Sequence, residues 1–391
     1  DTEAAYTLKQ QLIEEEKECL QKVKTETSVD VQIWAARSIE KVFQKLNLPY
    51  DLTAKTNSPS FTKNFLQNHP HPMVKLIARA REINKSHTTF IDTKLKHQHK
   101  GRIHAEINQI RSDDGGTITG RFSYANPNLQ QIPARDPVLG PMIRSLFIPE
   151  QGCKWGCFDY SQQEPRLVAH YALRYGLPSV NQIADSYDTD SSTDFHKIVA
   201  EMAEIPRSQA KTINLGLFYG MGKAKLAKEL GISKDAADNL LNKYHSRVPF
   251  VKKLAEAVTN SASKYGFIRT VGGRKCRFDM WEPATFGMNK AMHYEEAKAI
   301  YGNNIRRAFT YKALNRLIQG SAADQTKQAM IDCYKQGYQP LLQIHDELCF
   351  SINEEADIKG VKEVMENAIE NLKVPFKVDV AIGKSWGEAK E

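Results

Sequence analysis

Between positions 5 and 24, Leu8, Leu12, Ile13, Leu20 and Val23 recur among charged residues, the spacing of a helix with one buried face. A second helical pattern covers Val31 to Leu46. It stops at Asn47-Leu48-Pro49, because proline disfavours helix in the residue before it. Thr53 to Ser60 is polar and reads as a loop, and Met73 to Asn84 returns to helical period. The character then changes. A basic turn, His97 to Arg102, leads into alternating Ile103, Ala105 and Ile107, a strand pattern, and Ser112 to Gly116 reads as a turn. Thr119 to Pro149 is rich in Gly, Pro, Asn and Arg and predicts loop with short elements. Gly156 to Phe158 predicts a short buried strand, and Pro165 the first turn of a helix. Helical stretches follow from Phe195 to Lys264, then a hairpin from Phe267 to Phe278 around Gly272-Gly273. A long helical pattern covers Asn289 to Lys335. The end predicts strands at Leu341–Ile344 and Leu348–Ile352, a helix from Ala356 to Leu372 and a strand from Phe376 to Val380.

Composition narrows the class. The chain has 391 residues, 41% hydrophobic and 26% charged, which suits a globular protein of two to three packed units at about 150 residues each. No apolar run approaches the roughly 18 residues of a membrane span. The start, Asp1-Thr2-Glu3-Ala4-Ala5, is no signal peptide and has no Met, so a fragment or processed product that is intracellular and not secreted is expected. The net charge of +8 fits an anionic partner, nucleic acid being the commonest, although charge alone leaves this even. Six Cys show no CxxC spacing. A zinc site at Cys153 and Cys157 would need two more soft ligands, so reduced thiols are expected.

Two features carry chemistry. Asp159 follows a short apolar strand, while Asp346 and Glu347 lie between two others, so a tight hairpin would push both acids out at one end. Acids so placed suit a hard divalent cation between them; the hairpin taken alone reads first as a solvated turn, and only the next feature reverses that balance. The second feature is a stripe. Arg207, Lys211, Leu215 and Tyr219 are four apart and share one helix face: two cations, an apolar group, then a ring. That order suits a nucleoside triphosphate, with Arg as a fork and Lys as a point charge. An amphipathic core helix with two solvated cations is the alternative, but it leaves Gly216 and Gly220 unexplained.

Together these pieces resemble the motifs of family A, DNA polymerase I-like, DNA polymerases. Asp159-Tyr160-Ser161-Gln162-Gln163-Glu164-Pro165-Arg166 resembles motif A, Arg207 through Gly220 motif B, and His345-Asp346-Glu347 motif C. Thr119-Gly120-Arg121-Phe122-Ser123 with Asn126-Pro127-Asn128-Leu129-Gln130-Gln131-Ile132-Pro133 resembles the segment before motif A. Gln319-Gly320-Ser321-Ala322-Ala323-Asp324 resembles the family's QG-AAD segment. Five motifs in order, over roughly residues 90 to 391, are very specific.

The resemblance implies an α+β right-hand fold: an antiparallel-sheet palm with helical fingers and thumb. Residues 1–98 would be an exonuclease-like last helix plus thumb, 99–166 the first palm part, 167–310 the fingers and 311–391 the second palm part. It implies template-directed addition of dNMP to a primer 3′-OH with two Mg²⁺ ions, Mn²⁺ being able to substitute. Asp159, Asp346 and Tyr160 would hold the metals, with Glu347 a nearby helper and Lys211 the proton donor to pyrophosphate. Arg207, Lys211, His196, Leu215, Tyr219, Gln162 and the steric gate Glu164 would meet the dNTP. Arg121, Asn315, Gln319, His345 and Arg166 would meet the primer-template. A monomer is expected, with no membrane partner and any processivity factor unidentified.

Departures are visible. Leu215 stands where the family has an aromatic ring, Gln163 where it has Ile, and Pro165 where it has Leu. Asp1 to Leu8 resembles the last helix of the family's 3′–5′ exonuclease domain, so no proofreading is expected of this chain. Two rivals are a single-subunit RNA polymerase, opposed by Glu164 and His345-Asp346-Glu347, and a catalytically inactive DNA-binding subunit, opposed by the complete set of acids and cations. His97, His99 and Lys100 could touch duplex phosphates or form an exposed basic loop, and Arg274 and Arg277 are ambiguous in the same way.

Overall fold

The computed structural model describes residues 1–391 apart from 111–114, 134–135, 191, 219–220, 286, 288–289 and 391. The turn expected at Ser112 to Gly116 and the ring of Tyr219 therefore fall wholly or partly outside the described residues. The chain forms two compact units. One gathers Asp1–Glu106, Tyr124–Trp155 and Ile382–Glu391, the other Ile107–Ser123 and Gly156–Ala381. These limits cut the chain differently from the four-part division expected from the sequence.

In the first unit the opening helix runs Thr2–Thr27, with the Asp1 carboxylate accepting from the Ala4 N–H at 2.9 Å. It buries Leu8, Leu12 and Val23 and packs on helix Pro72–Lys85, which buries Val74 and Ile77. Burial of such side chains is worth about 1.5–3 kcal/mol each, and this unit owes its core to that apolar stripe. A π-helical segment, Ser86–Asp92, brings His87 Nε2 within 2.6 Å of Glu16 on the opening helix. The second helix is shorter than its pattern, Ala36–Lys45, because Val31 and Ile33 are buried from the turn that precedes it. The polar stretch after it closes a small ladder of Asp51–Leu52 on Pro59–Ser60. Near the chain end, buried Trp386 stacks on Trp155 at 6.3 Å and meets Phe147 edge-on at 5.4 Å.

The second unit is built on a four-stranded sheet. Its order is Pro340–Ile344, Glu347–Ile352, Lys154–Tyr160, Val378–Gly383. Phe158 and Phe350 meet edge-to-face at 5.5 Å, tying neighbouring strands. Helix Ala313–Lys335 packs on the first two strands and on helix Gln163–Arg174. Helices Phe195–Ala203, Arg207–Phe218, Lys223–Leu230, Lys234–Arg247 and Pro249–Tyr265 lie within the 167–310 stretch that the sequence assigned to the fingers. A hairpin of Phe267–Arg269 on Lys275–Arg277 follows.

One expectation fails. The helix predicted over Asn289 to Lys335 is interrupted: a helix spans Tyr294–Tyr301, and Ile305–Arg307 then pairs antiparallel with Trp281–Pro283. Gly302 stops the first helix at φ 60 and ψ −131, a conformation that only glycine adopts readily. The helix predicted to reach Leu372 also ends early, at Glu366.

Candidate active site

Strand Lys154–Tyr160 carries Asp159 at its penultimate position. Opposite it, Ile344 pairs with Glu347, so the hairpin turn is just His345-Asp346, with His345 at φ 56. The Tyr160 N–H donates to the Asp346 carbonyl at 3.3 Å, which ties the Asp159 strand to that turn. Burial, and then the charge of Asp159, push the Asp346 carboxyl up to about 7. Two carboxylates that oppose each other's ionisation in a half-buried place form an oxygen donor set, and a hard divalent cation would relieve that opposition. The residues therefore fit a divalent metal held by Asp159 and Asp346. The Tyr160 hydroxyl cannot take part, being buried and donating to the Met365 carbonyl at 2.6 Å, so only its backbone could face a metal.

Glu347 departs from expectation. It is the first residue of its strand rather than part of the turn, and it is buried. Alternation along the strand puts it on the face of Cys349, whose thiol donates to Glu347 Oε1 at 3.2 Å. Cys157 Sγ lies 4.0 Å from Cys349 Sγ. These three residues bring potential soft and hard ligand atoms within 4.8 Å of one another, a juxtaposition hidden from the spacing of the Cys in sequence.

The segment after Asp159 turns into its helix through Gln162 at φ 53. The Gln162 side chain spans to the next helix: Nε2 donates to the Thr193 carbonyl at 2.9 Å and Oε1 accepts from the Phe195 N–H at 2.8 Å. Glu164 accepts from Arg121 Nη2 at 2.5 Å, and both act electrostatically on Asp346. Arg166 corrects another expectation. It is 0% exposed, with Nε on the Ser161 carbonyl, Nη1 on the Pro375 carbonyl and its guanidinium over the Tyr187 ring at 4.3 Å. It cannot reach a duplex in this arrangement.

Arg207, Lys211 and Leu215 lie on helix Arg207–Phe218 as their spacing requires. Arg207 forks onto Asp194 Oδ2 at 2.8 Å and 2.5 Å, and Asp194 caps the helix carrying His196. Burial opposes the Asp194 charge, but hydrogen bonds from Arg207 and from backbone amides hold its carboxyl below the usual range. Lys211 is exposed and Leu215 half-buried. His196 is buried, and burial drives its pKa down to about 4, with Lys211 and Arg207 adding to the effect against Asp194. Gly216 has its reason in packing, since a Cβ there would meet Met221 Sδ at 3.2 Å. The arrangement sets two cations and a neutral imidazole beside one another in the same unit as the carboxylate pair.

The model of DNA polymerase family A matches residues 2–388. The chain belongs to DNA polymerase family A. A DNA-directed DNA polymerase of Pseudomonas phage M6 is 34% identical over 428 residues, covering 96% of this chain and 61% of the phage protein. The thermostable DNA polymerase I of Thermus aquaticus is 34% identical over 367 residues, covering 90% of this chain and 41% of that enzyme. The chain thus spans less than two thirds of these relatives. Among solved structures, the POL domain of Pol1 from M. smegmatis, in complex with DNA primer-template and dNTP, aligns with TM-score 0.76 and 28% identity over 100% of this chain and 67% of that one. This likeness agrees with the expected α+β polymerase fold. Among the described residues no helix is long and apolar enough to cross a membrane.

The remaining family A segments converge on one residue whose role the sequence left open. Arg274 donates from Nε to Asp324 at 2.8 Å and from Nη2 to the carbonyls of Thr119 at 2.7 Å and Gly320 at 3.1 Å. A Cβ at Gly320 would sit 3.1 Å from that guanidinium, and one at Gly120, where φ is +82, 2.8 Å from it. The glycines of both family segments are thus what let Arg274 clip them together. Asn315 and Gln319 are half-buried on helix Ala313–Lys335, and His345 is exposed in its turn. The local sequence also gave no sign of Asn214 and Tyr244, which stand behind His196.

Proposed function

We propose that this chain is a template-directed DNA polymerase that adds dNMP from a dNTP to a primer 3′-OH. The observation that carries the reading is the Asp159–Asp346 pair, with Asp346 pushed up to about 7, in the unit that also presents Arg207 and Lys211. Two Mg²⁺ ions, held by Asp159 and Asp346, would lower the pKa of the attacking hydroxyl and neutralise charge on the transferred phosphoryl group. Arg207 and Lys211 bind the triphosphate and oppose the charge that gathers on pyrophosphate as the bond breaks. Lys211, an exposed ammonium, gives up its proton to that leaving group. Arg207 first has to leave Asp194 or share it, which couples triphosphate binding to the cap of the His196 helix.

Glu164 is proposed as the gate against a ribose 2′-OH, with Arg121 holding its carboxylate in place. Arg121, Asn315, Gln319 and His345 remain the proposed contacts to primer-template, and Leu215 and Tyr219 to the incoming nucleotide and base pair. The partners are then primer-template DNA and dNTPs. The rival readings, an RNA polymerase or an inactive DNA-binding subunit, gain no support from the relatives above.

The test is primer extension on a DNA template with Mg²⁺, comparing four dNTPs with four NTPs, beside Asp346→Ala. Extension by dNTPs alone, absent in the variant, is expected. Efficient use of NTPs would reject Glu164 as gate. Binding of primer-template by folded protein with no extension at all would reject the polymerase reading.

A further inference from the structure

His196 stands beside the two cations of the proposed triphosphate site, and what it can do there depends on which ring nitrogen bears its proton. Burial keeps the ring neutral, so it holds one N–H and one lone pair. The lone pair is assigned by the residues behind it. Asn214, on the same helix as Lys211, is 0% exposed, and its Nδ2 lies 3.0 Å from His196 Nδ1. Its Oδ1 accepts from the hydroxyl of Tyr244, a residue also 0% exposed, on helix Lys234–Arg247.

A chain of this kind could run in either direction if the amide flipped, but burial decides between them. In the flipped order the Tyr244 oxygen would accept from the amide, and its own proton would face a dry interior with no second acceptor among the described residues. A buried donor left unpaired costs about 1–3 kcal/mol. Burial also raises the Tyr244 pKa, so the phenol keeps its proton and donates. The order is therefore Tyr244 O–H to Asn214 Oδ1, then Asn214 Nδ2–H to His196 Nδ1.

We propose that Asn214, locked by Tyr244, is a positioning residue that fixes His196 as the Nε2–H tautomer, so that its free edge donates to the incoming triphosphate. This rests on the reading of Arg207, Lys211 and His196 as the nucleotide site. Neither Asn214 nor Tyr244 need touch the nucleotide. The arrangement keeps a neutral donor in place beside two cations, where an imidazolium would be repelled and the opposite tautomer would turn a lone pair toward phosphate oxygens.

The test uses the full chain with histidine labelled in ¹⁵N, the His196 signals being assigned by their loss in His196→Ala. The wild type is expected to show Nδ1 unprotonated and Nε2 protonated at pH 7.5. Asn214→Asp offers two acceptors in the same volume. It should move a proton onto Nδ1 and raise the dNTP KM about tenfold, the worth of one hydrogen bond to a charged acceptor. Tyr244→Phe keeps the buried ring and should give mixed tautomers with a smaller rise in KM. Primer-template affinity should hold in both. A wild-type ring protonated on Nδ1, or a tautomer changed by Asn214→Asp with KM unmoved, overturns the proposal. Failure of the underlying nucleotide-site reading looks different: His196→Ala and Arg207→Ala would both leave dNTP KM unmoved whatever the tautomer.

Discussion

If Asp159 and Asp346 are opposed in the way the geometry indicates, removing one charge should stabilise the metal-free fold while destroying its activity. The substitution is Asp346→Asn, which keeps the shape and an acceptor oxygen. Burial first, and Asp159 second, raise the Asp346 carboxyl from 3.8 to about 7. At about 1.4 kcal/mol per pH unit this displacement corresponds to about 4 kcal/mol. The side chain is only partly covered, and solvent screening cuts that to about 2 kcal/mol. The sign follows from the raised folded-state value. The acid's contribution is fully present below about 3.8 and is lost as pH rises through about 7, where the native state alone bears the strain of two neighbouring charges. Thermal unfolding in EDTA at pH 8 should therefore show Asp346→Asn above wild type by about 2–4 °C. The gap should narrow as pH falls below about 7 and close only near pH 3.8, where wild-type Asp346 is protonated in the folded and unfolded states alike. Added Mg²⁺ should raise the wild-type midpoint and leave the variant's almost unmoved, while extension by the variant falls by about a thousandfold. A variant equal to or below wild type in EDTA at pH 8 would refute the reasoning, as would a gap that does not depend on pH.

Other expectations follow from buried polar groups. Gln163→Leu should cost about 1–3 kcal/mol in denaturant unfolding, because Gln325 Oε1, Thr326 Oγ1 and the Ala322 carbonyl lose their shared donor; an unchanged midpoint would show that the network contributes nothing. His170 is 4% exposed, its Nδ1 accepts from the Lys373 N–H, and burial lowers it from 6.5 to about 4. That contribution is complete above pH 6.5 and lost as pH falls toward 4, at most about 3 kcal/mol. His170→Gln, which keeps an acceptor, should shallow the fall in stability between pH 6.5 and 4 by about one proton's worth. Arg166→Gln should lower stability by about 1–3 kcal/mol yet leave the salt dependence of primer-template binding unchanged, whereas a lost phosphate contact would reduce that slope by about one.

Much of the site was legible because its chemistry follows the period of its elements. Arg207, Lys211 and Leu215 fall on one helix face by spacing, and a two-residue polar insert between apolar runs is a hairpin whose turn holds Asp346. What escaped depends on partners far apart in sequence. Arg166 reads as a surface cation until the Pro375 carbonyl, 209 residues on, claims it. Tyr244 lies 30 residues from Asn214, so nothing local announces their bond. Two misreadings were avoidable. With the turn confined to His345-Asp346, Glu347 and Cys349 share a strand face, which sends Glu347 inward. Gly302-Asn303-Asn304 is turn chemistry in the middle of a pattern read as one helix.

The departures from the family pattern beside Glu164 compensate locally, which bears on whether the proposed gate keeps its position. Pro165 is the third residue of helix Gln163–Arg174, where an N–H has no partner within the helix, so its absence costs no hydrogen bond. Gln163 puts an amide where the family has a hydrocarbon. It is 3% exposed, and Gln325 and Thr326 of helix Ala313–Lys335 answer it with polar atoms. A polar side chain in that place is tolerable only with its partners, so Gln163, Gln325 and Thr326 act as a unit. Between the two departures, Glu164 is fixed from a third direction by Arg121 at 2.5 Å. Neither substitution touches that ion pair. The position of the Glu164 carboxylate therefore depends on the Thr119–Ser123 segment that carries Arg121, and on Arg274, which anchors that segment through the Thr119 carbonyl.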